Sequence, residues 1–287
     1  MSAQAVLTPT PALDTAKAVS EQRRRKRISF LMVNGARLAV GVALIGSWQV
    51  FAGKPGSRAL VLIDEYYVSR PTDIWDSLVN FVETGVLWPN VWVTVQEMIL
   101  GFAVGLLLGL LAGFVVGSNR FVSDVAMPYV SALYSVPRLA LVPLFLLWFG
   151  LGLTSKVAFV GMLVFFLVFY NTYAGVRDVD KDLVNTLRLM GAGRWTIVRR
   201  VTIPSAMTWI LAGLRVSAPY ALVGAVTSEM ISSNEGLGYM LTRASGQFDT
   251  SGVFAAIAVM MALAIVVNGL VAAAERYFLA WKSRGEA

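Results

Sequence analysis

Long apolar segments recur along the chain and limit its fold more than any other feature. Six of them lie at residues 30–52, 88–116, 122–149, 155–176, 205–231 and 252–274. A helix of about 20 apolar residues is long enough to cross the hydrocarbon core of a bilayer. Charged residues make up only 14% of the chain, far less than in a soluble domain. The sequence therefore predicts an all-α, polytopic membrane helical bundle with about six transmembrane helices.

The two ends of the chain are predicted to lie outside this membrane domain. Residues 1–29 are polar and include five consecutive basic residues at 23–27, a composition typical of a disordered cytosolic tail. Residues 30–280 form the transmembrane domain, and residues 281–287 form a second cytosolic tail. The first apolar segment is too long for the core of a signal peptide, so we expect it to be retained as a span.

The positions of the basic residues predict the orientation in the membrane. If the amino terminus is cytoplasmic, the inner segments hold sixteen Lys and Arg residues. The outer segments then hold five, which are Lys54, Arg58, Arg70, Lys156 and Arg243. Because cytoplasmic loops carry the excess of Lys and Arg, both termini are predicted to be cytoplasmic. The net charge of +7 is thus explained by membrane edges and gives no reason to expect nucleic acid as a partner.

Glycine recurs at every fourth position of the second apolar segment. The residues are Gly101, Gly105, Gly109, Gly113 and Gly117. This spacing clears one helix face of side chains and allows a second helix to approach closely. We interpret these glycines as a helix-packing feature and not as a chemical site.

Prolines and an arginine interrupt the third apolar segment. Pro128, Pro137 and Pro143 break the helical hydrogen-bond ladder and predict kinks. Arg138 lies in this broken part. Two interpretations stay open: its guanidinium contacts an anionic solute, or it pairs with a carbonyl group freed by the prolines.

Two further charges, Arg215 and Glu229, lie in the fifth apolar segment. A charge at the bilayer centre costs at least about 2.5 kcal/mol and needs a partner, water or an interface. Fourteen residues separate the two, which is about 21 Å along a helix and too far for an ion pair. Together with Arg138 they are candidates for the translocation path or gate, and bundle packing is the alternative for both.

A charged segment at residues 177–204, hereafter the coupling segment, separates the fourth and fifth apolar segments. Asp180 or Asp182 can cap a short helix there. The apolar positions on one face of this helix are Leu183, Leu187 and Met190. Gly191 is a stop signal, and a second short helix is predicted to run into Pro204, where the fifth span begins.

The coupling segment resembles the cytoplasmic loop of permease subunits of binding-protein-dependent ABC importers. The motif of that family reads Glu-Ala-Ala, three residues, Gly, nine residues, Ile, any residue, Leu, Pro. Its later positions are matched here by Gly191, Val201, Ile203 and Pro204. The first three positions are Asn185, Thr186 and Leu187, so the acidic residue of the motif is missing. An amphipathic helix lying on the membrane surface is the alternative for this segment alone.

Other short motifs are similar to the branch of this family that serves sulfonate, taurine and nitrate. They lie at residues 134–137, 139–144, 148–150, 155–156, 213–215, 228–230 and 236–238. The resemblance covers about residues 70–280 and implies a type I ABC importer permease in a bacterial inner membrane. It also implies a homodimer, an ABC ATPase pair, a periplasmic or lipid-anchored solute-binding protein and a small, anionic solute. The residues it assigns to ATPase coupling are Leu183, Asn185, Leu187, Met190, Gly191 and Pro204.

Several classes of activity are excluded or weakened by residues that the chain lacks. It has no Gly-x-x-x-x-Gly-Lys-Ser/Thr sequence, so ATP is expected on a partner, and we predict neither an enzyme nor a cofactor. It has no His and no Cys, which excludes imidazole relays and thiolate chemistry.

Two rival functions stay open at this stage. The first is an ion-gradient-driven secondary transporter, which would use paired buried carboxylates. No pair is evident among the carboxylates within or at the ends of spans, which are Glu97, Asp124, Glu229 and Glu275. The second is an intramembrane enzyme with a serine nucleophile and a lysine base, for which Lys156, interpreted as an outer-loop residue, lacks a serine motif.

Overall fold

A computed structural model describes residues 12–53, 62–64 and 66–278, which belong to two units, residues 1–72 and 73–287. The helices are α1 (Ala12–Phe51), α2 (Pro71–Glu83), α3 (Leu87–Ser118), α4 (Arg120–Tyr134), α5 (Val142–Phe149), α6 (Leu153–Arg177), α7 (Lys181–Leu189), α8 (Arg194–Ile197), α9 (Ile203–Ser232), α10 (Leu237–Gly246) and α11 (Thr250–Phe278). A 3₁₀ turn, Arg138–Leu141, precedes α5, and a π-helical segment, Val198–Thr202, joins α8 to α9.

The first unit contains the long helix α1 and a two-residue parallel strand pairing. Strand β1 (Ala52–Gly53) pairs with β2 (Ile63–Asp64). Helix α1 covers residues 12–29 as well as most of the predicted first span, because residues 12–27 are rich in the strong helix formers Ala, Lys, Glu, Gln and Arg. The predicted tail boundary at residue 29 is therefore not a helix boundary. Residues 1–11 and the predicted tail at 281–287 lie outside the described residues.

Five of the six predicted spans have a counterpart in the second unit. Four helical stretches are long and apolar enough to cross a membrane: Leu87–Ser118, Leu153–Arg177, Arg194–Ser232 and Thr250–Tyr277. Helix α4 and the Arg138–Phe149 stretch pass the same test only when taken together, and they count as a fifth candidate if the 83° bend lies within one span. The stretch at 30–52 is not among the spans found in the described residues. The sixth span stays a prediction.

The bend in the third span lies at one proline and not at three. Helix α4 ends at Tyr134, and Pro137 follows in an extended conformation. Pro143 lies in the first turn of α5, where the missing N–H group is tolerated. Pro128 lies inside α4 without ending it. The backbone therefore turns at residues 135–137.

The parallel pair α3 and α6 forms the centre of the second unit. The α3 glycines Gly101, Gly105, Gly109, Gly113 and Gly117 lie along α6 in register. A Cβ atom added at Gly109 would lie 2.8 Å from the carbonyl oxygen of Phe165, and one at Gly113 would lie 2.8 Å from that of Phe169. The two backbones thus approach more closely than any larger residue would allow.

Helix α9 packs against the same pair and completes the core. The buried apolar side chains of this cluster are Met98, Val160, Val164, Val168, Ala221, Leu222 and Ala225. Helices α10 and α11 contact each other through a smaller cluster that contains Leu237, Met240 and Ala256. Much of the remaining apolar surface of α3 and α11 is exposed, as expected for helices that face lipid.

Candidate functional site

The first helix of the coupling segment is capped by Asp180. Its carboxylate accepts hydrogen bonds from the backbone N–H groups of Asp182, at 2.8 Å, and Leu183, at 3.4 Å. This resolves the two capping candidates in favour of Asp180. Asp182 instead lies in the first turn of α7, where a negative charge is favourable beside the helix N-terminus.

Gly191 ends this helix with a left-handed backbone. Its φ is +82°, a conformation that residues with a Cβ rarely adopt. The N–H of Gly191 donates to the Arg188 carbonyl at 3.0 Å, and the N–H of Ala192 donates to that of Leu187 at 2.9 Å. No atom lies within 4 Å of a Cβ added at Gly191. The requirement for glycine is therefore set by backbone conformation and not by space.

Pro204 does not interrupt the helix that follows. The sequence analysis predicts a separate short helix that ends at Pro204, whereas one helical stretch runs from Arg194 to Ser232. The π-helical segment Val198–Thr202 lies directly before the proline, and the N–H of Ile203 donates to the Val198 carbonyl. The wider π-helical turn lets the helix continue past a proline, which has no N–H group to donate to the preceding turn. The second helix of the coupling segment is thus continuous with α9.

The turn between the two helices exposes large apolar side chains. Leu189 is 90% exposed, Met190 78% and Trp195 72%, and Leu183 is also exposed. Asn185 is exposed, whereas Leu187 is half-buried. Sequence reasoning missed Leu189 and Trp195. The available signal for an exposed contact surface was Trp195, a large apolar residue in a segment that is otherwise rich in arginine.

A buried ion pair joins α3 to α6 at the end of the pair remote from the coupling segment. The Lys156 ammonium donates to the Glu97 carboxylate at 2.6 Å and to the Ser233 hydroxyl at 2.8 Å. The sequence-based placement of Lys156 in an outer loop is wrong. Lys156 lies in the first turn of helix α6, which begins at Leu153, and its side chain is buried against α3.

Glu229 lies beside this pair and holds the start of α10. Its carboxylate accepts from the Thr94 hydroxyl at 2.6 Å and from the Gly238 N–H at 2.7 Å. The N–H of Leu237 donates to the Thr94 hydroxyl at 2.9 Å. Glu97, Lys156, Ser233, Glu229 and Thr94 are hereafter the polar cluster. Through these hydrogen bonds the polar cluster connects α3, α6, α9 and α10.

The glycines before α10 have a structural role in the same region. Gly236 has a φ of +106°, and its N–H donates to the Asn90 side chain at 2.7 Å. A Cβ at Gly238 would lie 2.8 Å from the Cβ of Glu229. The backbone of the Gly236–Gly238 turn therefore lies against the Glu229 side chain, with no room for a larger residue at either glycine.

The three predicted path residues have different partners. The guanidinium of Arg138 lies 4.4 Å from the centre of the Tyr134 ring, a cation–π contact. Contact of Arg138 with an anionic solute stays a prediction. Arg215 forms an ion pair with Glu275 of α11. Glu229 alone belongs to the polar cluster. The sequence analysis found no pair among the carboxylates of the spans, whereas the structure buries Glu97 and Glu229 as neighbours in the polar cluster. Each of Glu97 and Glu275 also has a cationic partner, Lys156 and Arg215 respectively.

Two open cavities adjoin the polar cluster. One, of about 450 Å³, is lined in part by Gln96, Glu97, Lys156 and Ser233. The other, of about 630 Å³, is lined in part by Glu229 and Arg243. Within the described part of the chain, one oxygen of the Glu97 carboxylate has no hydrogen-bond partner. Polar groups for a solute path are thus present on both sides of the cluster.

Three relatives resemble most of the chain. It is 32% identical to the riboflavin transport system permease protein of Chloroflexus aurantiacus, over 84% of this chain and 87% of that protein. It is 30% identical to the putative aliphatic sulfonates transport permease protein of Bacillus subtilis, over 94% and 95% respectively. A formylaminopyrimidine transport permease protein of Halalkalibacterium halodurans is 31% identical over 83% and 92%.

The fold is also that of solved importers. An inward-facing MetNI methionine ABC transporter chain superposes with a TM-score of 0.61 and 15% identity, covering 68% of this chain and 97% of that one. Residues 105–278 match the family described as the binding-protein-dependent transport system inner membrane component. With the sequence relatives above, this match shows that the chain belongs to that family, the permease subunits of ABC importers.

Proposed function

We propose that the chain forms the translocation path of an ATP-driven importer and is coupled to a separate ATPase through residues 182–204. The observation that carries this proposal is that the second helix of the coupling segment, from Arg194, continues into α9. A partner that moves the exposed turn at Leu189, Met190 and Trp195 would move a helix that extends without a break to Ser232. Glu229, near the far end of that helix, belongs to the polar cluster.

The geometry supports transmission of movement along α9. Helix α9 spans from the exposed turn at one end to the cavities at the other. Two packings of α9 against α3 and α6, close in energy, would suffice for alternating access. Binding of the ATPase pair and of a loaded solute-binding protein would then favour one packing over the other.

The remaining assignments belong to the same proposal. ATP is bound by the partner, and the chain needs no cofactor of its own. A second copy completes the path, both termini are cytoplasmic, and a periplasmic or lipid-anchored binding protein delivers the solute. A small, anionic solute of the sulfonate, taurine or nitrate type is supported by the sulfonate relative, which aligns with 94% of the chain.

The test compares two glycine variants of the coupling segment. The chain is co-expressed with the ATPase encoded beside it, purified in mild detergent and assayed for complex formation and ATP hydrolysis. Gly191→Ala strains a backbone at φ +82° and should weaken the complex. Gly193→Ala is the matched control, because its φ is −70° and no atom lies within 4 Å of the added Cβ.

The same preparation separates the importer from a gradient-driven transporter. In liposomes that contain the complex and the binding protein, uptake of taurine or an alkanesulfonate should require ATP and persist when ion gradients are collapsed. Uptake that follows an ion gradient without ATP would overturn the proposal. So would an intact chain that binds no ATPase.

A further inference from the structure

A cationic cavity of about 690 Å³ lies between the coupling segment and the neighbouring ends of the spans. Its walls come from the last turns of α3 and α6, the start of α4, and helices α7 and α8. The arginines among its lining residues are Arg120, Arg177, Arg188 and Arg194. The lining residues include no carboxylate, so the side chains that line the cavity carry four positive charges and no negative one.

The nearby acidic residues lie outside this lining and have partners of their own. Arg120 is 3.8 Å from Asp124, in an exposed pair that contributes little. In the described residues Arg188 and Arg194 form no ion pair. Asp178 accepts a hydrogen bond from the Trp209 indole, and Asp180 caps α7.

One lining residue stands where the family motif has a carboxylate. Asn185 occupies the position of the motif's Glu and lines the cavity beside Arg188. A glutamate there would supply an internal counterion. The amide does not, so the cavity lacks a counter-charge that the motif would provide.

We propose that this cavity binds a phosphate-bearing anion, either the headgroup of an anionic phospholipid or a free phosphate compound. Arginine presents a planar fork of donors that matches phosphate oxygens. Because its walls are the ends of membrane-spanning helices, the cavity lies at the level where lipid headgroups are found. Its volume falls within the range of small-ligand sites. The inference rests on the spans and not on ATPase coupling.

The experiment measures binding to the purified full chain by native mass spectrometry. The probes are phosphatidylglycerol, phosphatidylcholine with the same acyl chains, and pyrophosphate. Phosphatidylglycerol or pyrophosphate should bind, and the double variant Arg188→Gln/Arg194→Gln should lower that affinity at least about tenfold, because two charge-assisted donors to the phosphate are lost. Asn185→Glu should lower it as well.

A matched control removes equal charge from the same segment. Arg199 and Arg200 are exposed and are absent from the cavity lining, so Arg199→Gln/Arg200→Gln should leave the affinity unchanged. Phosphatidylglycerol alone would identify a lipid site, and pyrophosphate alone a site for free anions. Equal binding of phosphatidylcholine, or equal losses in both double variants, would overturn the proposal, as would binding of neither anion. Loss of ATPase association in Gly191→Ala with unchanged anion binding would separate the two proposals.

Discussion

Charged side chains are buried at one end of the α3–α6 pair and exposed at the other. At one end Lys156 and Glu97 are buried and paired at 2.6 Å. At the other, about 30 Å away along α3, Arg188 and Arg194 are exposed beside a turn of exposed apolar side chains. The first arrangement holds four helices together by internal contacts. The second leaves its groups available to a partner or a ligand, so the ends should respond differently to mutation.

The largest effect is expected from the buried ion pair. Lys156→Met leaves the Glu97 carboxylate without its cation and should lower the free energy of unfolding by about 3–5 kcal/mol, because an uncompensated charge stays buried. Unfolding of the purified chain by SDS in mixed micelles, followed by circular dichroism, measures the change. The double variant Glu97→Gln/Lys156→Met should recover most of the loss. A single variant as stable as the original would refute the pair's structural role.

The next effect is expected in the close contact between the two helices. Gly109→Ala places a methyl group 2.8 Å from the Phe165 carbonyl oxygen, and the overpacking should cost about 1–3 kcal/mol. Gly269→Ala in α11 has no atom within 4 Å and should be neutral or stabilising, since alanine is the better helix former. The same SDS titration compares them. Equal stability of the two variants would contradict close packing along α3.

A smaller loss is expected when Thr94 loses its hydroxyl. Thr94→Val removes the donor to Glu229 and the acceptor for the Leu237 N–H, at a cost of about 1–2 kcal/mol. Hydrogen exchange at the start of α10 should become faster. Thr227→Val is the control, because that hydroxyl donates within its own helix, to Val223. Unchanged exchange in Thr94→Val would show that the polar cluster does not hold α10.

The smallest effect on stability is expected at the exposed turn. Leu189→Ser/Met190→Ser should change the free energy of unfolding by less than about 0.5 kcal/mol, as exposed substitutions usually do. It should nevertheless reduce co-purification of the ATPase. Leu151→Ser, an exposed residue near the polar cluster, should leave co-purification intact. If both variants retain the ATPase equally, the turn is not the docking surface.

The spans and the coupling segment were predictable because their signals are local. Apolar length and composition decide whether a helix can cross a bilayer, and five of the predicted spans have structural counterparts. The cap and the glycine stop around α7 also depend on neighbouring residues only. A proline break in the third span was predicted, and it occurs at Pro137 but not at Pro128 or Pro143.

The sequence by itself thus determined the class of fold, the family and the position of the coupling segment. Tertiary structure alone decided the pairing of Glu97 with Lys156, because 59 residues separate them and only the packing of α6 along α3 brings the two side chains together. Continuation of the helix through Pro204 was likewise visible only in the structure, because it depends on the π-helical segment Val198–Thr202. Charges in a membrane protein are stabilised by whichever groups the packing brings near, and spacing along the chain does not specify those groups.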